Sequence, residues 1–317
     1  MKEKKKTSVA RSFTAYVKLY FTGFIIGSAD VVPGVSGGTM AFILGIYQEL
    51  LESIKTMTSP QTLRLIFTFK MKKAIKTLPW AFLLALGSGV LSAILLLSSH
   101  IKYMLDHHPV IIWAFFFGLV LASILTVCGR VKKWTPGCIL AAVWGGVGGW
   151  IIVGLSMLHN PPDGLWYIMV CGAIAICAMI LPGISGSFIL LLMGKYDTVL
   201  GAVHHLKSGD ALWTNLTILG VFIAGIVVGI SSFVRLLSWL FQKFHDLTIA
   251  VLIGFMAGSL RKVWPWKDPE GLDNIFPEQF DRNFVLAIVL ALFGFLLVIV
   301  LEWLAVRLER KTARLEE

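Results

Sequence analysis

Charge is scarce in this sequence. Only 15% of its 317 residues are Asp, Glu, Lys or Arg, against about 25% in soluble domains. A chain that is 57% hydrophobic, with a mean hydropathy of +0.81, cannot build a water-soluble surface at that density. Cysteine is scarce too. Cys128, Cys138, Cys171 and Cys177 lie in or beside apolar runs without metal-ligand spacing, and they read as small packing residues. The adjacent pairs His107–His108 and His204–His205 point their rings apart on a helix, so no metal site is expected. Short segments of alternating hydrophobicity are missing, which excludes a membrane β-barrel. The basic start MKEKKK lacks the cleavage pattern of a signal peptide. A nucleophile elbow and a histidine–arginine constellation for phosphoryl transfer are also missing. No enzyme activity and no cofactor are expected.

Long apolar runs are abundant. Several approach or exceed the roughly 18 residues that mark a membrane span. The fold class is therefore an all-α polytopic membrane protein. The net charge of +10 does not point to nucleic acid. The basic residues fall in short loops between apolar runs, where positive charge marks the cytoplasmic side.

One apolar run breaks itself at DVVPGVSGGT, residues 30–39, with an acid, a proline, three glycines and two hydroxyls. The pattern returns at MILPGISGSF, residues 179–188. Aligning Gly23–Tyr47 with Gly172–Tyr196, at an offset of 149, gives nine identities in 25 positions. They include Pro33, Gly34, Ser36, Gly37, Gly45 and Tyr47 against Pro182, Gly183, Ser185, Gly186, Gly194 and Tyr196. A weaker echo relates Gly118 and Ser123 to Gly254 and Ser259 at an offset of 136. Internal repeats of this kind are common in secondary transporters.

The arms around the first break, Leu19–Val32 and Thr39–Leu51, have 14 and 13 residues. At about 1.5 Å per residue neither crosses a core of about 30 Å. A re-entrant hairpin is expected, with a second one over Trp166–Leu181 and Phe188–Val203. Residues 55–78 carry six basic residues and no acid, and GRVKKWTPG is also basic, so both loops should be cytoplasmic. The weakly charged HNPPDG and the mixed loop RKVWPWKDPEGLDNIFPEQFDRN should lie outside. Residues 1–160 then form a first repeat, with hairpin 13–54 and spans at about 79–99, 109–129 and 137–157. Residues 161–317 form a second, inverted repeat, with hairpin 166–203 and spans at about 213–233, 247–263 and 283–303. Both termini are expected in the cytoplasm.

Each hairpin break is followed by a helix start, whose first N–H groups lack intrahelical partners and carry the positive end of the helix dipole. Glycine lets a ligand approach that backbone. Ser36, Gly37, Gly38 and Thr39, with Ser185, Gly186 and Ser187, are therefore candidates for the two walls of one anion site, best suited to phosphate. Asp30 lies three residues before Pro33 and has Met179 as its counterpart. An ionisable residue inside a membrane is a functional candidate, here for proton coupling. Arg130, Arg235 and Arg261 fall near span ends, and Arg130 and Arg261 are candidate accessory phosphate contacts.

The stretches GSADVVPGVSGGTMAFILGIY and MILPGISGSFILLLMGKY resemble the paired signatures of the bacterial and archaeal polyprenyl-phosphate transporter family. HPVIIWAFFFGLVLAS and IGFMAGSLRKVWPW support the resemblance, which covers nearly the whole chain. It implies a translocase of the cytoplasmic membrane that returns undecaprenyl phosphate for re-use in envelope synthesis. The implied partner is a polyprenyl phosphate lipid in the bilayer, and the oligomeric state is left open. Coupling to protons by alternating access is expected from Asp30. The alternative reading is a small-anion transporter or channel built on the same paired helix starts.

Overall fold

The computed structural model describes residues 12–31, 36–68, 70, 73, 77–205, 211–268, 273–277 and 280–316. Pro33 and Gly34 of the first motif lie outside the described residues. The described residues form helices joined by short connections, with one isolated β-bridge between Lys267 and Asn274.

The first half contains α1 (Phe13–Asp30), α2 (Gly37–Ile43), α3 (Tyr47–Met57), α4 (Pro60–Phe67), α5 (Trp80–His107), α6 (Pro109–Cys128) and α7 (Pro136–Gly154). The second contains α8 (Leu165–Ile180), α9 (Gly186–Leu192), α10 (Tyr196–His205), α11 (Leu212–Lys243), α12 (His245–Ser259) and α13 (Arg282–Glu316). Five of these are long and apolar enough to span a membrane: α5, α6, α7, α11 and the first part of α13. The helix over the fifth expected span, α12, has 15 residues and reaches only about 22 Å. It ends where Ser259 Oγ donates to the Met256 carbonyl at 2.7 Å.

The arm after each motif is broken, where a continuous arm was expected. α2 stops before Gly45 (φ +75°) and α9 stops before Gly194 (φ +67°). Both glycines sit in the left-handed region that ends helices. The closing bonds are the same: Gly45 N–H to Phe42 O and Ile46 N–H to Ala41 O, then Gly194 N–H to Leu191 O and Lys195 N–H to Leu190 O. The chain turns by 115° between α9 and α10. Beyond the first break, α3 carries Gln48, Glu49, Glu52 and Lys55, so it is too polar to continue into the apolar core.

Four helix pairs make the body of the fold: α1 with α5, α8 with α11, α6 with α13, and α7 with α12. Each crossing is close enough that a glycine of one helix lies against a carbonyl of the other. Gly23 meets Leu86 O and Gly89 meets Tyr20 O, while Gly172 meets Phe222 O and Gly225 meets Met169 O. Gly118 meets Ala291 O and Gly294 meets Phe115 O, while Gly254 meets Ala142 O and Gly145 meets Val251 O. Of the eight paired helices, α6 and α12 are the most buried. Leu91 and Leu95 on α5, Trp144 on α7, Ile223 on α11 and Leu296 on α13 are exposed apolar side chains, placed for contact with lipid.

Candidate functional site

The two sequence breaks meet in space. Ser36 caps α2: its Oγ accepts from Gly38 N–H at 3.2 Å and donates to the Leu181 carbonyl at 3.2 Å. Gly183 N–H donates to Thr39 Oγ1 at 2.9 Å. Tyr47 Oη donates to the Ile180 carbonyl at 3.0 Å. The start of α2 is thus seated on the turn of the second motif. Gly183 has φ +94°, and its Cα faces Met256 and Ser259 of α12, leaving no room for a side chain. Ser36 is 3% exposed and Thr39 1%, so their hydroxyls are spent on protein contacts in this conformation.

The two helix starts differ chemically. At α2 the Asp30 carboxylate accepts from Gly37 N–H at 2.7 Å, so a built-in anion already sits on the helix start. A Cβ on Gly37 would collide with that carboxylate. At α9 the counterpart of Asp30 is Met179. Ser185 makes no side-chain capping bond there, and its Oγ instead pairs with Ser187 Oγ at 2.8 Å. Gly186 packs against the Ala175 carbonyl, whereas Ser187 is exposed. One helix start is therefore buried and carboxylate-capped, and the other has no carboxylate.

The arginines chosen from sequence lie apart from the meeting point. Arg130 Nη2 donates to the Ile43 carbonyl at 2.7 Å and its guanidinium lies over Phe42, at the C-terminal end of α2. Arg235 Nη2 donates to Thr58 O at 2.7 Å, just past the end of α3. Cations at helix C-termini offset the negative end of the dipole. Arg261 lies over Trp150 at 4.7 Å and against Gly154, at the end of α7. Its neighbour Lys262 lies over Phe188 of α9 at 4.6 Å. Lys262 was not singled out from sequence, because a lysine at a span end reads as a snorkelling side chain. Among the described residues no group of His, Cys, Asp and Glu could hold a metal ion.

An apolar cavity of about 360 Å³ borders the first break. Ile25, Ser28 and Ala29 of α1, Met40 of α2, Phe116 of α6 and Val298 of α13 contribute to its wall.

Irregular backbone at membrane depth is tolerated where it is buried in protein or lines a cavity, and paired broken helices supply ion and substrate sites in membrane carriers. This all-helical membrane chain, with two breaks in contact beside an apolar cavity, has the architecture of a transporter. The profile of the VCA0040-like family, described as undecaprenyl phosphate translocase-like, matches residues 26–274, and the chain belongs to that family. It is 39% identical to a polyprenyl-phosphate transporter of Vibrio cholerae serotype O1 over 306 residues, covering 90% of this chain and 96% of the relative. It is 29% identical to a polyprenyl-phosphate transporter of Staphylococcus aureus over 257 residues, covering 77% of this chain and 84% of the relative. No solved structure matches. The family resemblance carried by the two motifs is borne out, and the family is one of transporters rather than enzymes.

Proposed function

We propose that the protein carries a polyprenyl phosphate, with undecaprenyl phosphate as the substrate, back across the cytoplasmic membrane for re-use in envelope synthesis. Family membership supports the substrate class. The observation that carries the mechanism is the Asp30 carboxylate seated on Gly37 N–H, where the two breaks meet. Only the headgroup must pass the core, because the tail stays in lipid. A dianionic phosphate is very costly to bury unpaired. In the mechanism, protonation of Asp30 frees the Gly37 donor, and the phosphate takes the place of the carboxylate between Ser36–Thr39 and Ser185–Ser187. One proton is thereby coupled to one loading event. Because Ser36 and Thr39 are buried and bonded to the second motif, the phosphate enters only when the two breaks separate, as alternating access requires. Arg130 acts indirectly, by holding the far end of α2.

The repeat reading rests on the helix crossings. The pairs Gly23–Leu86 and Gly172–Phe222 correspond at the sequence offsets 149 and 136, and so do Gly118–Ala291 and Gly254–Ala142 with the offsets of their own helices. We propose two inverted repeats, each a re-entrant hairpin plus three spans, with both termini in the cytoplasm as loop charge requires. The apolar cavity beside the first break favours a tailed substrate over a small anion, which has no use for an apolar wall.

Binding of farnesyl phosphate to the purified protein tests the shared site. Ser36→Ala and Ser187→Ala should each weaken it about tenfold or more, the cost of one hydrogen bond to a charged group. Normal binding by every variant at one motif, alongside loss at the other, would refute a shared site.

A further inference from the structure

Three cations remain unused by the meeting of the breaks. Arg261, Lys262 and Lys267 follow the end of α12, and all three are half-buried. Each lies over an aromatic ring from a different helix: Arg261 over Trp150 of α7 at 4.7 Å, Lys262 over Phe188 of α9 at 4.6 Å, and Lys267 over Trp113 of α6 at 5.8 Å. The segment that carries them is pinned. Lys262 N–H donates to Ser259 O at 2.9 Å, Asn274 Nδ2 to Arg261 O at 2.9 Å, and Trp264 Nε1 to Ile275 O at 2.9 Å.

The described ion pairs, Lys195–Asp163 and His245–Asp246, involve none of the three. Burial pushes Lys267 down to about 8, helped by Lys262 and Arg261 and opposed by Asp268. Like charges held together away from water are costly unless an opposite charge joins them. The chemistry of that opposite charge can be read from the surroundings. Aromatic rings among cations suit the membrane–water boundary, where an anion with an apolar tail resides. Phe188 is part of the α9 start, so Lys262 links this cluster to the second break.

We infer that Arg261, Lys262 and Lys267 form a receiving site for the phosphomonoester headgroup of a lipid alcohol, from which the headgroup passes to Ser187 at the start of α9. This inference rests on the transport reading above, and in the orientation proposed there the site faces the outer leaflet. The cations gather the headgroup at the interface, and the rings shield the first part of its chain.

Equilibrium binding to the purified full chain tests this with three probes: farnesyl phosphate, farnesol and inorganic phosphate. Lys262→Gln and Lys267→Gln should each weaken farnesyl phosphate about tenfold or more. Lys262→Arg and Lys267→Arg should stay near wild type, and farnesol binding should not change. Lys243→Gln is the control, since Lys243 lies over Trp239 and Phe244 at the opposite end of α12. It should bind all three probes as wild type does. Size-exclusion chromatography checks folding, and if Lys262→Gln fails to fold, Lys267→Gln in the connecting segment carries the test. Normal farnesyl phosphate binding by the folded glutamine variants overturns the receiving site and leaves the transport reading standing. Wild-type protein that binds farnesyl phosphate no better than farnesol overturns both. Inorganic phosphate bound as tightly as farnesyl phosphate overturns the lipid assignment of the site.

Discussion

Asp30 is the residue on which the account turns. Its carboxylate holds Gly37 N–H at 2.7 Å, the donor that the proposed mechanism assigns to the phosphate. Asp30→Asn keeps the size and an oxygen acceptor but removes the charge and the titration. The variant should fold, and its transport rate should lose the pH dependence of the wild type. A rate–pH profile in liposomes that superimposes on wild type would reduce Asp30 to a helix cap. Lys267 predicts a second pH effect, on binding. It is cationic below about 8 and neutral above, with Lys262, Arg261 and Asp268 as the charged groups acting on it. A phosphomonoester stays dianionic across this range, since its second pKa is about 6. Farnesyl phosphate affinity should therefore fall as pH rises from about 7 to about 9, and Lys267→Arg should remove most of that fall because arginine does not titrate there. An unchanged slope in the arginine variant would place the titrating group elsewhere.

At the scale of elements, the two arms after the motifs offer a matched pair. Gly45 and Gly194 both have positive φ and close the same hydrogen-bond pattern, but their surroundings differ. A Cβ on Gly45 meets open space, whereas one on Gly194 meets Leu158 O and Pro161. Gly45→Ala should cost only the left-handed backbone, about 1–2 kcal/mol. Gly194→Ala should cost more, and thermal unfolding in detergent would show the larger drop. Equal drops would mean that the contact at Leu158 relaxes freely. These breaks also show what the sequence could and could not reveal. The Pro-Gly motifs were legible because proline, serine and glycine cannot be explained by an apolar helix. Gly45 and Gly194 match in the repeat alignment, yet a single glycine in an apolar pattern is compatible with an unbroken helix. The recurring Gly-x-Tyr spacing held the signal: Tyr47 donates to Ile180 O just beyond the break. The contact of α2 with residues 180–183 was legible only as a consequence of the repeat. The placement of Lys262 over Phe188 depends on packing between distant segments, which one sequence does not encode in any local pattern.

The whole molecule is a set of crossed helix pairs around α6 and α12, with apolar side chains turned outward on α5, α7, α11 and α13. Its proposed orientation is testable apart from transport. In an otherwise cysteine-free chain, Cys at Lys132 should label only from the cytoplasmic side, and Cys at Asp273 only from outside. Reversed labelling would overturn the orientation and move the receiving site to the other leaflet. The central claim is that the phosphate headgroup crosses at the meeting of the two breaks. It is tested most directly by reconstituting the purified protein in liposomes with undecaprenyl phosphate and following headgroup accessibility on each side. The account predicts protein-dependent movement of the headgroup, accelerated by a proton gradient and abolished in Gly37→Val, whose side chain would occupy the place of the carboxylate and the phosphate. Headgroup movement at the protein-free rate, or undiminished movement in a folded Gly37→Val variant, would contradict it.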